Sequence, residues 1–145
     1  MGRRKLRDER GASALEFAMV SIPLLWLVFG IISFGMMLSF RQTLSQATTE
    51  GARAAAVVGT AADPASAATA AVNSALGAVK KSCSSEGMTC DTSKVSAPFS
   101  CGATAQCVTV SVTYGYRAHP VIPSLPLVGL ALPAEMTYSA TVRVQ

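Results

Sequence analysis

The sequence predicts an α+β protein in which a long N-terminal transmembrane helix continues outside the membrane and is followed by a second helix and a small antiparallel sheet of two or three strands. Three observations predict it: an uncharged apolar stretch near the N-terminus, apolar residues at three- and four-residue steps after it, and two period-two stretches near the C-terminus. The 145 residues suffice for one modest domain plus an anchor. Since only 14% of them are charged and half are hydrophobic, part of the apolar surface is expected to contact lipid.

The apolar stretch covers residues 17–40 without a single charged side chain. As a helix, it would be about 36 Å long, which exceeds a hydrocarbon core of about 30 Å. A cleaved secretory signal is the alternative, but its apolar region usually contains only about 7 to 15 residues. We therefore predict a transmembrane helix over residues 12–40.

The charges around this helix predict its orientation. Five positive and two negative residues lie in the first eleven positions, which leaves a net charge of +1 for the rest of the chain, and only Arg41 follows the apolar stretch closely. Basic residues favour the cytoplasmic side, so we expect the N-terminus inside and the body outside. A nearly neutral body also argues against nucleic acid as a partner.

Two helices and two strands are predicted beyond the membrane. Leu44, Ala47, Gly51, Ala54 and Val58 continue the first helix, and Asp63 with Pro64 provides the cap and first turn of the second. Alternation predicts strands over residues 108–114 and 136–144, which plausibly pair antiparallel, and a shorter edge strand around residues 95–99.

An apolar, proline-rich loop covers residues 119–133 between the two strands. Such a loop should not be apolar without a reason. It is expected either to cover the core as a lid or to lie on the membrane or a partner subunit.

Four cysteines lie close together in the body. An even number in a small extracytoplasmic domain favours disulfides, although four cysteines allow three connectivities. Proximity in sequence favours the pairs Cys83 with Cys90 and Cys101 with Cys107. Zinc held by all four is the alternative, but no C-x-x-C pair is present and His119 is the only histidine, so no metal site is expected.

Catalysis is not expected from this sequence. His119 has no acidic neighbour in sequence, and no nucleotide-binding glycine motif occurs. The chain is therefore predicted to be no enzyme, to need no cofactor and to act by assembly.

Glu16 stands immediately before the apolar stretch, where a carboxylate that enters lipid is costly. The segment Gly11-Ala12-Ser13-Ala14-Leu15-Glu16-Phe17, preceded by a basic leader, resembles the cleavage motif of type IV prepilins. The resemblance implies that a prepilin peptidase cuts after Gly11, which makes Ala12 the new N-terminus. It also implies that Glu16 and Phe17 contact other subunits in the membrane and that Glu16 pairs with the α-amine of a neighbour, which relieves two buried charges.

More narrowly, residues 9–56 resemble the TadE-like family of tight-adherence (Flp) pilus proteins. The features that carry this resemblance are GASALEFA, the central Pro23, FGIISFG and the RQ...EGARAAA run. Relatives often have an acidic residue where this chain has Ser33. The resulting organisation is pilin-like: a basic cytoplasmic leader over residues 1–11 that is removed, a transmembrane helix over 12–40 and an extracytoplasmic α+β head over 41–145.

The resemblance implies a minor pilin of a bacterial tight-adherence pilus, which acts in pilus assembly and surface adhesion through helix bundling. Its partners would be the lipid bilayer, a prepilin peptidase, the major pilin and other pilin-like subunits, and the pilus membrane platform proteins. It would cross the bacterial cytoplasmic membrane once, and it could reach the cell-surface pilus. The alternative is an uncleaved single-pass envelope protein whose head scaffolds the pilus machine or binds a surface ligand.

Overall fold

The computed structural model describes residues 5–58, 63–96, 99–101, 106–121 and 132–144. Its helices are α1 (Lys5–Val58), α2 (Pro64–Leu76) and α3 (Ser93–Ser96), with a short 3₁₀ turn at Gly77–Val79. Its strands are β1 (Met88–Asp91), β2 (Phe99–Ser100), β3 (Gln106–Tyr114) and β4 (Met136–Val144). This order confirms the predicted α+β class. The chain divides into two compact units, Met1–Met36 and Met37–Gln145, which are described separately.

In the second unit, the part of α1 that begins at Met37 contributes one buried face. Its buried residues are Met37, Phe40, Leu44, Ala47, Thr48, Gly51, Ala52 and Ala55. The prediction was right for Leu44, Ala47 and Gly51, but Ala54 and Val58 are only half-buried. Eleven residues make just over three full helical turns, so Ala55 rather than Ala54 lies on the same face as Leu44.

Gly51 marks the closest approach between α1 and its neighbours. A methyl group at this position would lie 2.6 Å from Val72 Cγ2 on α2 and 3.3 Å from the Ala68 carbonyl oxygen. It would also lie 3.4 Å from Val110 Cγ1 on β3. The missing side chain therefore permits both α2 and the sheet to pack against α1 at one point.

Helix α2 begins where the Asp63-Pro64 pair predicts. The Asp63 side chain accepts a hydrogen bond from the Ala65 amide at 3.0 Å, and Pro64 occupies the first turn. The buried residues Ala68, Val72 and Leu76 recur every four positions and form the face that joins the core.

The sheet is three strands wide in the described part of the chain. Strand β3 lies at its centre and pairs antiparallel with β4 along its whole length. On the other edge β1 pairs with residues 111–114 of β3, and the two-residue β2 pairs with residues 106–107. The predicted pairing of residues 108–114 with 136–144 is confirmed.

The predicted edge strand around residues 95–99 is confirmed only at its end, because Phe99 belongs to β2, residues 95 and 96 are helical, and residues 97–98 are not described. Ser93–Ser96 forms a short helix, and only Phe99–Ser100 pairs with β3. Asp91 caps this helix, since its Oδ1 accepts a hydrogen bond from the Ser93 amide at 2.9 Å. Val95 is buried, so its apolar character reflects core packing of a helical turn rather than a strand.

An aromatic group closes one end of the core. The Phe40 and Tyr114 rings meet edge to face with centroids 5.0 Å apart, and Tyr116 lies 6.3 Å from Tyr114. Burial raises the pKa of the Tyr116 hydroxyl, and the neighbouring Tyr114 raises that pKa further. The Lys81 ammonium lies 5.3 Å from the centre of the Tyr114 ring.

Both disulfides lie in the second unit. Cys83 is bonded to Cys90 and joins the turn after the 3₁₀ segment to β1. Cys101 is bonded to Cys107 and joins the residue after β2 to the start of β3. Within the described residues no cysteine is free. The disulfides predicted from the cysteine count are therefore supported.

Replacing the Cys83–Cys90 bond by a Cys83→Ser/Cys90→Ser pair should lower the free energy of unfolding by about 2.5 kcal/mol, because the unfolded chain gains loop entropy. Denaturant unfolding of the detergent-solubilised chain would measure this loss. Thiol titration of the denatured wild-type protein without reductant should find no reactive thiol. Free thiols in this titration would instead support the zinc alternative, because denaturation releases a metal and leaves unoxidised cysteines reactive.

Candidate functional site

The candidate site is the N-terminal helical segment, and its main property is exposure. Every large apolar side chain of residues 11–36 is exposed, including Leu15, Phe17, Met19, Trp26 and Phe29. Within the described residues, α1 is the one helix long and apolar enough to cross a membrane; its most apolar window has a mean hydropathy of 2.3 and is not buried at all. By length and composition this segment is a candidate membrane span.

The four residues of the predicted processing and contact site all lie on α1. Gly11, Ala12, Glu16 and Phe17 are helical and exposed. A methyl group at Gly11 would meet no atom within 4 Å, so packing within the chain does not require glycine at this position. Ala12 and Glu16 are one turn apart and share one face of the helix, with about 6 Å of axial rise between them.

The central part of the segment contains three small or polar residues that are less exposed than their neighbours. Ser21, Gly30 and Ser33 are half-buried, and the Ser21 hydroxyl donates a hydrogen bond to the Ala18 carbonyl at 3.1 Å. This local bond satisfies a polar group that would otherwise meet lipid. Ser33 is uncharged, so this position provides no second carboxylate within the segment.

His119 has a structural role. Its carbonyl oxygen accepts a hydrogen bond from the Tyr114 hydroxyl at 2.6 Å, and its amide donates to the Gly115 carbonyl at 3.0 Å. Its ring lies directly over Gly87, where any Cβ would overlap it. These contacts hold His119 against Tyr114 and Gly87.

The prediction about the apolar loop over residues 119–133 falls largely outside the described residues. The choice between a core lid and a membrane or partner surface depends on residues 122–131, which are not described. At the two ends of the loop, the Arg117 Nη2 atom donates to the Leu132 carbonyl at 2.8 Å, and the Arg117 amide donates to the Ala134 carbonyl at 3.3 Å.

Sequence reasoning missed one polar contact between distant elements. The Arg41 Nε atom on α1 donates a hydrogen bond to the Tyr138 hydroxyl on β4 at 2.8 Å. The two residues are 97 positions apart, and no local motif links them. In the sequence, the one indication that Arg41 has a special role is its position directly after the uncharged stretch.

Comparison with protein families finds a match in the N-terminal part of the chain. Residues 11–53 match the family model described as TadE-like protein. This segment is similar to the TadE-like family. The match begins at Gly11 and contains Glu16, Pro23 and the RQ pair, so the resemblance seen in the sequence is confirmed over these 43 positions.

The TadE-like match covers 43 of the 145 residues. It ends before α2, so the disulfides and the sheet lie outside it. No curated protein matches the chain significantly. No solved structure matches it significantly either.

Proposed function

We propose that this chain is a pilin-like subunit of a bacterial tight-adherence pilus, anchored in the cytoplasmic membrane by its TadE-like segment and cleaved after Gly11. The α+β head would lie outside the cytoplasm. The single observation that carries the proposal is an apolar helical stretch with all its large side chains exposed, which follows, within the TadE-like match, a glycine five residues before Glu16.

The exposed apolar surface supports assembly or insertion on energetic grounds. Sixteen large apolar side chains between Leu15 and Leu38 are exposed. At roughly 1.5 kcal/mol or more for each side chain, covering them is worth on the order of 20 kcal/mol. Lipid can supply this cover before assembly, and the helices of other subunits can supply it in a fibre.

The surroundings of Glu16 support an ion pair with a neighbouring subunit rather than one within the same chain. Within the described residues the recorded salt bridge joins Arg53 to Glu50, and it does not involve Glu16. An unpaired carboxylate costs roughly 2.5 to 3.5 kcal/mol at the bilayer centre and less at its edge. Cleavage after Gly11 would create an α-amine at Ala12, and a neighbouring subunit displaced along the helix axis could present that amine to Glu16.

Replacing Gly11 with leucine should abolish processing, because a bulky side chain would occupy the position that the peptidase must accommodate. The intact mass of the protein extracted from membranes would measure this. We expect the wild type to lack residues 1–11 and the Gly11→Leu protein to retain them.

Gly30→Leu is the matched control, since Gly30 is another glycine of α1 at which an added methyl group meets nothing within 4 Å. This variant should be cleaved normally. Loss of the first eleven residues from the Gly11→Leu protein would disprove the cleavage site. A wild-type chain that keeps its leader would favour an uncleaved envelope protein that scaffolds the pilus machine or binds a surface ligand.

A further inference from the structure

We propose that the groove between Arg41 and Tyr138 binds the phosphate of an outer-leaflet phospholipid headgroup and thereby holds the head at the membrane surface. The inference rests on the membrane anchoring proposed above. It adds a specific ligand site in the second unit of the chain, outside the processing and contact residues.

The Arg41 guanidinium is held in place and yet keeps most of its donors. Its Nε atom donates to the Tyr138 hydroxyl at 2.8 Å, which leaves the four N–H groups of the two terminal nitrogens. No carboxylate of the described residues forms a salt bridge with Arg41. The Tyr138 hydroxyl accepts this hydrogen bond and retains its own proton for a further acceptor.

The surrounding groove has a suitable size and chemistry. It is open, has a volume of about 330 Å³, and is lined by Leu38, Arg41, Gln42, Ser45 and Tyr138. These side chains supply a guanidinium, an amide and two hydroxyls as donors, and no acidic side chain lines the groove. A guanidinium matches the oxygens of a phosphate with two parallel hydrogen bonds, so an anionic phosphodiester complements this lining.

The position in the sequence identifies a lipid as the source of the phosphate. Arg41 is the first charged residue after the uncharged residues 17–40. A helix that spans the hydrocarbon core with this stretch would bring Arg41 to the level of the headgroups, where arginine and tyrosine are favoured. Leu38, which is 43% exposed, gives the groove an apolar edge at the end of this stretch.

Arg53 on the same helix provides a matched control. It is also an exposed arginine, but it lies 4.0 Å from Glu50, so its charge already has a partner. A general attraction of anionic lipid to the head would depend on both arginines. A built site would depend on Arg41 and not on Arg53.

The test titrates the detergent-solubilised full chain with phosphatidylglycerol and measures bound lipid by native mass spectrometry. The Arg41→Gln protein should bind at least tenfold more weakly than the wild type, and Arg53→Gln should remain within twofold. Tyr138→Phe, which keeps the ring but removes the acceptor that fixes Arg41, should weaken binding about threefold. Arg41→Lys, which keeps the charge but loses the planar guanidinium, should also weaken lipid binding. This variant replaces Arg41→Gln in the test if the glutamine protein does not fold.

Two further ligands distinguish the source of the phosphate. Diacylglycerol, which lacks phosphate, should bind much more weakly than phosphatidylglycerol, and inorganic phosphate should not displace the lipid at millimolar concentration. Equal lipid binding by the wild type and Arg41→Gln would overturn the proposal, and displacement by inorganic phosphate would replace it with a free-anion site. Cleavage and membrane extraction are measured separately, so a failure of the proposed function would be distinguishable from a failure of this site.

Discussion

A Glu16→Leu protein should enter the membrane at least as well as the wild type and yet be lost from sheared surface fibres. Insertion should improve slightly, because the substitution removes a carboxylate that is costly in lipid. Assembly should fail, because the α-amine of the neighbouring subunit would remain buried without its partner. Breaking a buried ion pair by removing one member typically costs about 3 to 5 kcal/mol, which corresponds to more than a hundredfold loss.

Quantitative mass spectrometry of membranes and sheared fibres would measure both effects in one experiment. Glu16→Gln, which keeps the shape of the side chain without its charge, should also be lost from fibres. Glu50→Gln is the matched control, because Glu50 is an exposed carboxylate of α1 outside the uncharged stretch. Wild-type amounts of Glu16→Leu in fibres would show that Glu16 makes no pairing contact, and its absence from membranes would contradict the account of insertion.

The fold was predictable wherever a periodic pattern ran long enough. The uncharged residues 17–40, the helical repeat after Leu44 and the alternation in β3 and β4 each extend over at least seven residues. Patterns of this length distinguish helix from strand because the two periods separate quickly. The start of α2 was predictable for a different reason, since Asp63 and Pro64 each satisfy a specific requirement of a helix N-terminus.

Short elements were not predictable. Strand β1 has four residues, of which only Met88 is buried, and only Thr89 is of a type favoured in strands. It exists because it pairs with β3 and is bonded through Cys90 to Cys83. Val95 is β-branched, which favours a strand, whereas Asp91 caps a helical turn there. Tertiary contacts decide such segments, and local preference does not.

The candidate site was also predictable only in part. Gly11 and Glu16 are noticeable in the sequence because of their order before an apolar stretch, and the structure adds that both are exposed on a helix. The Arg41 contact with Tyr138 and the His119 contact with Gly87 required folded coordinates. Each of these contacts joins elements far apart in sequence, so no pattern within one element could indicate it.

Replacing Gly87 with alanine should strongly destabilise the second unit. Gly87 has a φ of 74°, a left-handed conformation that costs an alanine roughly 1 to 2 kcal/mol. The new Cβ would also overlap the His119 ring, which is held in place because the His119 carbonyl accepts from Tyr114. Together these effects should lower the free energy of unfolding by about 3 kcal/mol and Tm by roughly 10 to 20 °C.

The two causes can be separated by a double-variant cycle with thermal unfolding of the full chain in detergent. Gly87→Ala/His119→Ala removes the overlap and keeps the backbone strain, so it should be less destabilised than the sum of the two single variants. Gly77→Ala is the matched control, because Gly77 has a right-handed φ of −56° and a methyl group there meets nothing within 4 Å. This control should be neutral or slightly stabilising, since alanine restricts the unfolded chain at no cost to the native one. A Gly87→Ala protein as stable as the wild type would show that the turn within the Cys83–Cys90 loop does not depend on the left-handed glycine beneath His119.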